Sequence, residues 1–117
     1  LKIVNFKDNA YLYNAATAAM KVSDTVKRID ELGNIIDTID RGSLTLVQTP
    51  QVFNYCEIME AFSLVDMLDD RYTDDNMIYE RAGGRICTVD IGRDNIKITE
   101  PRDILLAELI LKERGNV

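Results

Sequence analysis

Between Leu44 and Leu111 the apolar residues change period several times, and this switching constrains the fold more than any other feature of the chain. Leu44 to Gln48 reads as a short strand that Pro50 ends, because proline cannot donate to a ladder. Tyr55, Ile58, Met59, Phe62 and Val65 then recur at helical spacing as one core-facing stripe. Ahead of them, Asn54 and Glu57 have the spacing of a capping box. Thr73 caps a shorter helix, Asp74 to Ala82, whose acidic first turn suits the helix dipole and which Gly83-Gly84 stops. Ile86 to Ile91 alternates as a strand with one buried face, and a further short strand reads from Ile96 to Ile98. Thr99 or Glu100 opens the last helix, Pro101 sits in its first turn, and Gly115 ends it. Strands alternating with helices in this way predict an α/β domain with some parallel pairing.

The first third of the chain is less regular. Leu1 to Asn14 has apolar residues without a readable period. Ala10 to Met20 has the propensity of a helix, although its small side chains also suit a strand packed closely against helices. Val26 and Ile29, then Ile35, Ile36 and Ile39, flank Asp30-Glu31-Leu32-Gly33-Asn34, where Gly33-Asn34 supplies the positive dihedrals of a hairpin loop. The flanks mix charge with β-branched residues, as an exposed arm would. A two-stranded arm is marginal in water, so a partner subunit is the expected support. Asp40-Arg41-Gly42-Ser43 is a second turn. The last helix is apolar nearly all round from Ile104 to Leu111 and is expected to be substantially covered, either by its own sheet or by a neighbour.

A length of 117 residues, 46% of them hydrophobic, suits one small globular domain or part of a larger one. No apolar run approaches the ~18 residues of a membrane span. Leu1 to Val22 lacks the ordered charged start, apolar core and cleavage site of a secretory leader. The net charge of −6 argues against a nucleic-acid partner, whose phosphates need a basic face. Cys56 and Cys87 belong to no C-x-x-C pair and read as buried thiols in a reducing compartment. The chain has no histidine, which removes His-based triads and most catalytic zinc sites. Chemistry therefore falls to Lys, Arg, Asp, Glu, hydroxyls or a metal ion. The acids Asp66, Asp69, Asp70, Asp74 and Asp75 invite a divalent-metal reading, but they lack the mid-loop glycine and closing glutamate of a calcium loop. A solvated loop fits them better. Lys97, between Ile96 and Ile98, stands at a strand–helix junction of the kind where α/β sites lie, yet on spacing alone it is a solvated charge.

Four stretches change the weighing of Lys97. They are Asp24-Thr25-Val26-Lys27-Arg28, Gln48-Thr49-Pro50-Gln51-Val52-Phe53, Thr73-Asp74-Asp75, and Asp94-Asn95-Ile96-Lys97-Ile98-Thr99-Glu100-Pro101-Arg102-Asp103. With these in order, the chain resembles the C-terminal half of the 2-C-methyl-D-erythritol 4-phosphate cytidylyltransferase family, over about Ala15 to Leu111. Ribitol phosphate cytidylyltransferases share most of these stretches, and Lys27-Arg28 leans toward the methylerythritol branch. The resemblance implies a partial doubly wound nucleotide-diphospho-sugar transferase-like fold with a protruding β-arm at residues 23–41 that serves a cytoplasmic homodimer. It implies that Ala15 to Val22 is a strand feeding that arm. It implies that Thr25, Thr49 and Lys97 grip a sugar-alcohol phosphate, with Lys97 catalytic and Arg41 reaching the partner subunit's site. The co-substrate would be CTP, the ion Mg2+, and neither nucleic acid nor membrane would take part. The family's glycine-rich loop and its Asp-Ala-Ala-Arg-Pro segment, whose Asp holds magnesium, have no counterpart in these 117 residues, so the N-terminal nucleotide-binding half is expected to be absent. A non-catalytic dimerisation or binding module that kept the fold is the competing reading.

Overall fold

The computed structural model describes residues 13–65 and 71–115. Its elements run β1 (Ala15–Lys21), β2 (Val26–Ile29), β3 (Ile35–Ile39), a 3-10 turn (Arg41–Ser43), β4 (Thr45–Phe53), α1 (Tyr55–Leu64), α2 (Asp75–Arg81), β5 (Cys87–Asp90) and α3 (Pro101–Glu113). A three-stranded mixed sheet has the order β4-β1-β5, with β1 antiparallel to β4 and parallel to β5. The hairpin β2-β3 forms a separate sheet. The α/β reading with some parallel pairing holds.

β1 overrides its own helical propensity. The alanines at 15, 16, 18 and 19 are buried in the middle strand, with ladders on both sides. Period-2 alternation sends them to two cores. Ala16 and Ala18 pack with Ile91, Val52 and Val89. Ala15 packs with Ala61, Ile78 and Tyr79 beneath α1 and α2. Small side chains let both layers approach closely, which a helix of the same residues would forgo. Of the helix expected over Ala10 to Met20, residues from Ala15 onward are strand, and 10–12 lie outside the described residues, as does most of Leu1 to Asn14.

β4 is longer than expected and runs through Pro50. It is an edge strand, and its register against β1 shifts between Thr17 and Ala19, so Gln48, Thr49 and Pro50 together face Ala18. Such a bulge needs no ladder donor from proline. The Thr49–Pro50 peptide is cis.

α1 begins at the predicted cap, Asn54 Oδ1 accepting from the Glu57 amide at 3.2 Å. Its apolar stripe is rotated, however. Ala61 is buried, and Ile58, Phe62 and Val65 pack on it, while Tyr55 and Met59 face out. α2 starts one residue later than expected. Asp74 is its cap, with Oδ1 accepting from the Met77 amide at 2.9 Å, and Thr73 instead turns its hydroxyl to Met77 Sδ. Ile78 is 5% exposed, and burying such a side chain contributes about 2 kcal/mol. Gly83 ends the helix at φ 90°.

The hairpin turn uses one positive dihedral rather than two. Gly33 has φ 84°, and Asn34 does not join it. Asn34 instead donates its amide to Asp30 Oδ1 at 2.9 Å and its side chain to Asp30 Oδ2. These bonds hold the Asp30 carboxyl below the usual carboxylate range. Arg28 and Asp37 face each other across the strands and pair at 3.3 Å.

Three further expectations change. Ile96 to Ile98 belongs to no ladder among the described residues, and Ile98 is exposed. α3 buries none of its residues, so its own sheet does not cover it, and Ile104, Leu105, Leu106, Leu109 and Leu111 stand uncovered among the described residues. Cys56 is exposed rather than buried, Cys87 is half-buried, and neither is in a disulfide. Asp66, Asp69 and Asp70 lie outside the described residues. No helix of the described residues is long and apolar enough to cross a membrane.

Candidate functional site

The β4 bulge and the segment after β5 form the walls of one cleft. It encloses about 550 Å3, and Gln48, Thr49, Thr73, Asp74, Asn95 and Lys97 are among the residues lining it. The bulge turns Thr49 out of the sheet ladder. Gly92, at φ 85° and with its amide on Asp90 Oδ1, turns the chain from β5 toward that wall. The α3 start closes the segment at its far end. There, Asp103 Oδ2 accepts from the amides of Thr99 at 3.0 Å and Glu100 at 2.9 Å, and these bonds lower the Asp103 pKa.

Two of the expected site residues meet in this cleft. Among the described residues, neither the Thr49 hydroxyl nor the Lys97 ammonium is taken up by another group. A hydroxyl and an ammonium from residues lining one cleft suit a phosphate or carboxylate oxygen. Arg41 lies elsewhere in the chain. It donates Nη1 to the Ser23 carbonyl at 2.5 Å and lines a second hollow with Lys21, Val22, Asp40, Gly42 and Leu44. Thr25 is exposed just before β2 and lines neither hollow.

Sequence reasoning left Thr73, Gln48 and Asn95 out of the site. Thr73 read as a helix cap within one of the family-like stretches, and its place in the cleft depends on α2 packing beside β4. Gln51 and Asp74, which join at 3.2 Å, tie those elements together.

A magnesium ion is a poor match for the described part of the cleft. Asp74 is the carboxylate in its lining, and its two oxygens already cap α2 and accept from Gln51. Hard cations of this kind take several oxygen ligands, and the described residues gather no set of three acidic or thiol groups.

Residues 3–113 match the family model described as IspD: 2-C-methyl-D-erythritol 4-phosphate cytidylyltransferase. The chain is similar to the curated enzyme of that name from Geobacillus thermodenitrificans (strain NG80-2), 43% identical over 107 residues, which is 92% of this chain and 46% of the relative. It is also similar to the one from Lysinibacillus sphaericus (strain C3-41), 36% identical over 97% of this chain and 48% of the relative. Among solved structures, 4-diphosphocytidyl-2C-methyl-D-erythritolsynthase from Anaerococcus prevotii DSM 20548 superposes with a TM-score of 0.83 at 27% identity, over 94% of this chain and 49% of that one. The expected partial nucleotide-diphospho-sugar transferase-like fold therefore holds. The chain spans about half the length of the curated relatives it matches.

Proposed function

The chain belongs to the 2-C-methyl-D-erythritol 4-phosphate cytidylyltransferase family, and on that ground we propose that it is the C-terminal, acceptor-gripping half of a cytidylyltransferase. The complete enzyme moves CMP from CTP to a sugar-alcohol phosphate, 2-C-methyl-D-erythritol 4-phosphate, for isoprenoid synthesis by the non-mevalonate route. An oxygen of the acceptor phosphate attacks the α-phosphorus of CTP, the bond to the bridging oxygen breaks, and pyrophosphate leaves. The observation that carries this reading is the Thr49–Lys97 cleft. There the Thr49 hydroxyl donates to the acceptor phosphate. Lys97 offsets the charge that gathers as two phosphates approach, the kind of positioning and cationic stabilisation on which phosphoryl transfer depends. Thr25 adds a second hydroxyl from the loop before β2.

Arg41 serves the site of a second copy. The hairpin leaves Ile29, Leu32, Ile35 and Ile36 in solvent, which favours a homodimer in which two such arms cross. A species of one-chain mass in sedimentation at roughly tens of micromolar counts against this. Uncovered Leu105 and Leu109 on α3 support a domain that continues beyond these residues. In the complete enzyme Mg2+ neutralises the CTP phosphates from ligands in the nucleotide-binding half, and no step here runs through it. CTP and the acceptor are charged and water-soluble, which favours a cytoplasmic enzyme. The names of the curated relatives favour methylerythritol phosphate over ribitol 5-phosphate as acceptor.

The test is a pyrophosphate-release assay with each acceptor on a complete enzyme containing these residues. Lys97→Ala is expected to slow transfer by about 100-fold. An unchanged rate, or a preference for ribitol 5-phosphate, refutes the corresponding part. The 117 residues alone are expected to release no pyrophosphate above their Lys97→Ala variant, and release would overturn the half-domain reading.

A further inference from the structure

Lys97 faces a problem of support that the sheet does not solve. β5 ends at Asp90, and residues 92–99 join no ladder among the described residues, so no described strand holds the Lys97 backbone in place. Between the Gly92 turn and the α3 cap, one side chain reaches the opposite wall. Asn95 Nδ2 donates to the Thr49 carbonyl at 2.6 Å and to Gln48 Oε1 at 3.3 Å. In return, Gln48 Nε2 donates to the Asn95 carbonyl at 3.4 Å. We propose that Asn95 is a positioning residue whose amide clamps the Lys97 segment to the β4 bulge and so sets Lys97 opposite Thr49.

The bulge makes the clamp possible. Because Gln48, Thr49 and Pro50 together face one residue of β1, the Thr49 carbonyl is released from regular pairing and is open to a side-chain donor. The far side of the clamp rests on the core. The Gln48 carbonyl accepts long bonds of 3.4 Å from both Gln51 Nε2 and Thr17 Oγ1, and Thr17 is buried in the central strand. Lys97 follows Asn95 by two residues, so holding Asn95 also limits where Lys97 can stand. Both lie in the lining of the same cleft. The donors are essential to this role. An aspartate has nearly the same shape but only accepts when ionised, so it would meet the Thr49 carbonyl oxygen with a second acceptor.

The proposal rests on Lys97 being the lysine that meets the acceptor phosphate, and the test separates the two claims. The first arm measures backbone order by NMR relaxation in the 117-residue chain. Order parameters at Ile96, Lys97 and Ile98 are expected near the rigid value of about 0.85 in the native chain and below about 0.6 in Asn95→Ala, with β1 and α1 unchanged. Equal order in the two proteins overturns the clamp, whatever reaction the enzyme performs. The second arm uses a complete enzyme containing these residues. There Asn95→Ala and Asn95→Asp are each expected to raise the half-saturating concentration of the sugar-alcohol phosphate about tenfold, leaving that of CTP unchanged. In a Lys97→Ala background the same changes are expected to do little more, since interacting residues are not additive. Additive losses, or an equal effect on CTP, overturn the positioning role. A complete enzyme with no transfer activity removes the functional reading, and the relaxation arm still decides the clamp. Should Asn95→Ala not fold, Asn95→Asp carries both arms.

Discussion

Gly84→Ala tests how rigidly the α2 face supports the central strand. A Cβ built on Gly84 would lie 2.3 Å from Tyr79 Cε1, 2.4 Å from Cδ1 and 2.8 Å from Cζ. Carbon atoms rest at roughly 3.5–4 Å, so ring or backbone must move by more than about 1 Å. Tyr79 has little room to give. It is 4% exposed, stacks at a tilt on Phe53 with centroids 5.2 Å apart, and donates its hydroxyl to Glu57 Oε2. The Gly84 amide is itself bonded to the Tyr79 carbonyl at 2.9 Å. Overpacking of this kind costs about 2–3 kcal/mol. For a chain of this size, a melting-temperature loss of about 4 °C per kcal/mol gives a fall of roughly 8–12 °C. Urea and thermal unfolding followed by circular dichroism measure it. Gly83→Ala is the control: its Cβ meets nothing within 4 Å, and it is penalised only through φ +90°, by about 1–2 kcal/mol. In a Tyr79→Leu background most of the Gly84→Ala penalty is expected to vanish. Native stability for Gly84→Ala, or an undiminished penalty without the ring, refutes the steric argument.

Two further outcomes concern titration. Burial, and then the Glu57 carboxylate that accepts its hydrogen bond, push the Tyr79 hydroxyl up to about 12. The fold thus favours the neutral phenol, so this contribution is intact below the ordinary tyrosine value of about 10 and is lost as pH rises from there through about 12. Ultraviolet titration is expected to show a late-ionising tyrosine that Glu57→Gln shifts earlier, and ordinary ionisation at Tyr79 contradicts this. Asp103 behaves in the opposite sense, because the Thr99 and Glu100 amides hold its carboxyl low. Its contribution is present above the ordinary aspartate value of about 4 and is lost as pH falls through its lowered folded value. The amide shifts of Thr99 and Glu100 are expected to titrate in that acid range and to stay flat in Asp103→Asn.

Features set by bonds between near neighbours were legible in the sequence. Asn54 caps α1 through an amide three residues on, and Pro101 with Asp103 starts α3, because these bonds close within one helical turn. The Gly33 turn follows in the same way from the freedom of glycine at positive φ. Tertiary structure decided the rest. The alanines of β1 favour helix locally, and only burial between two layers makes them a strand. The outward turn of Tyr55 and Met59 depends on which face of α1 meets Ala15 and Ile78, which spacing alone leaves open. Pro50 stays inside β4 because β4 is an edge strand that bulges there. The candidate site divides along the same line. Lys97 and Thr49 stood out through family resemblance, whereas Asn95 gains its role only when a residue 46 positions away presents an unpaired carbonyl. Hydrogen bonds across that separation are made by packing, and local sequence pattern carries no trace of them.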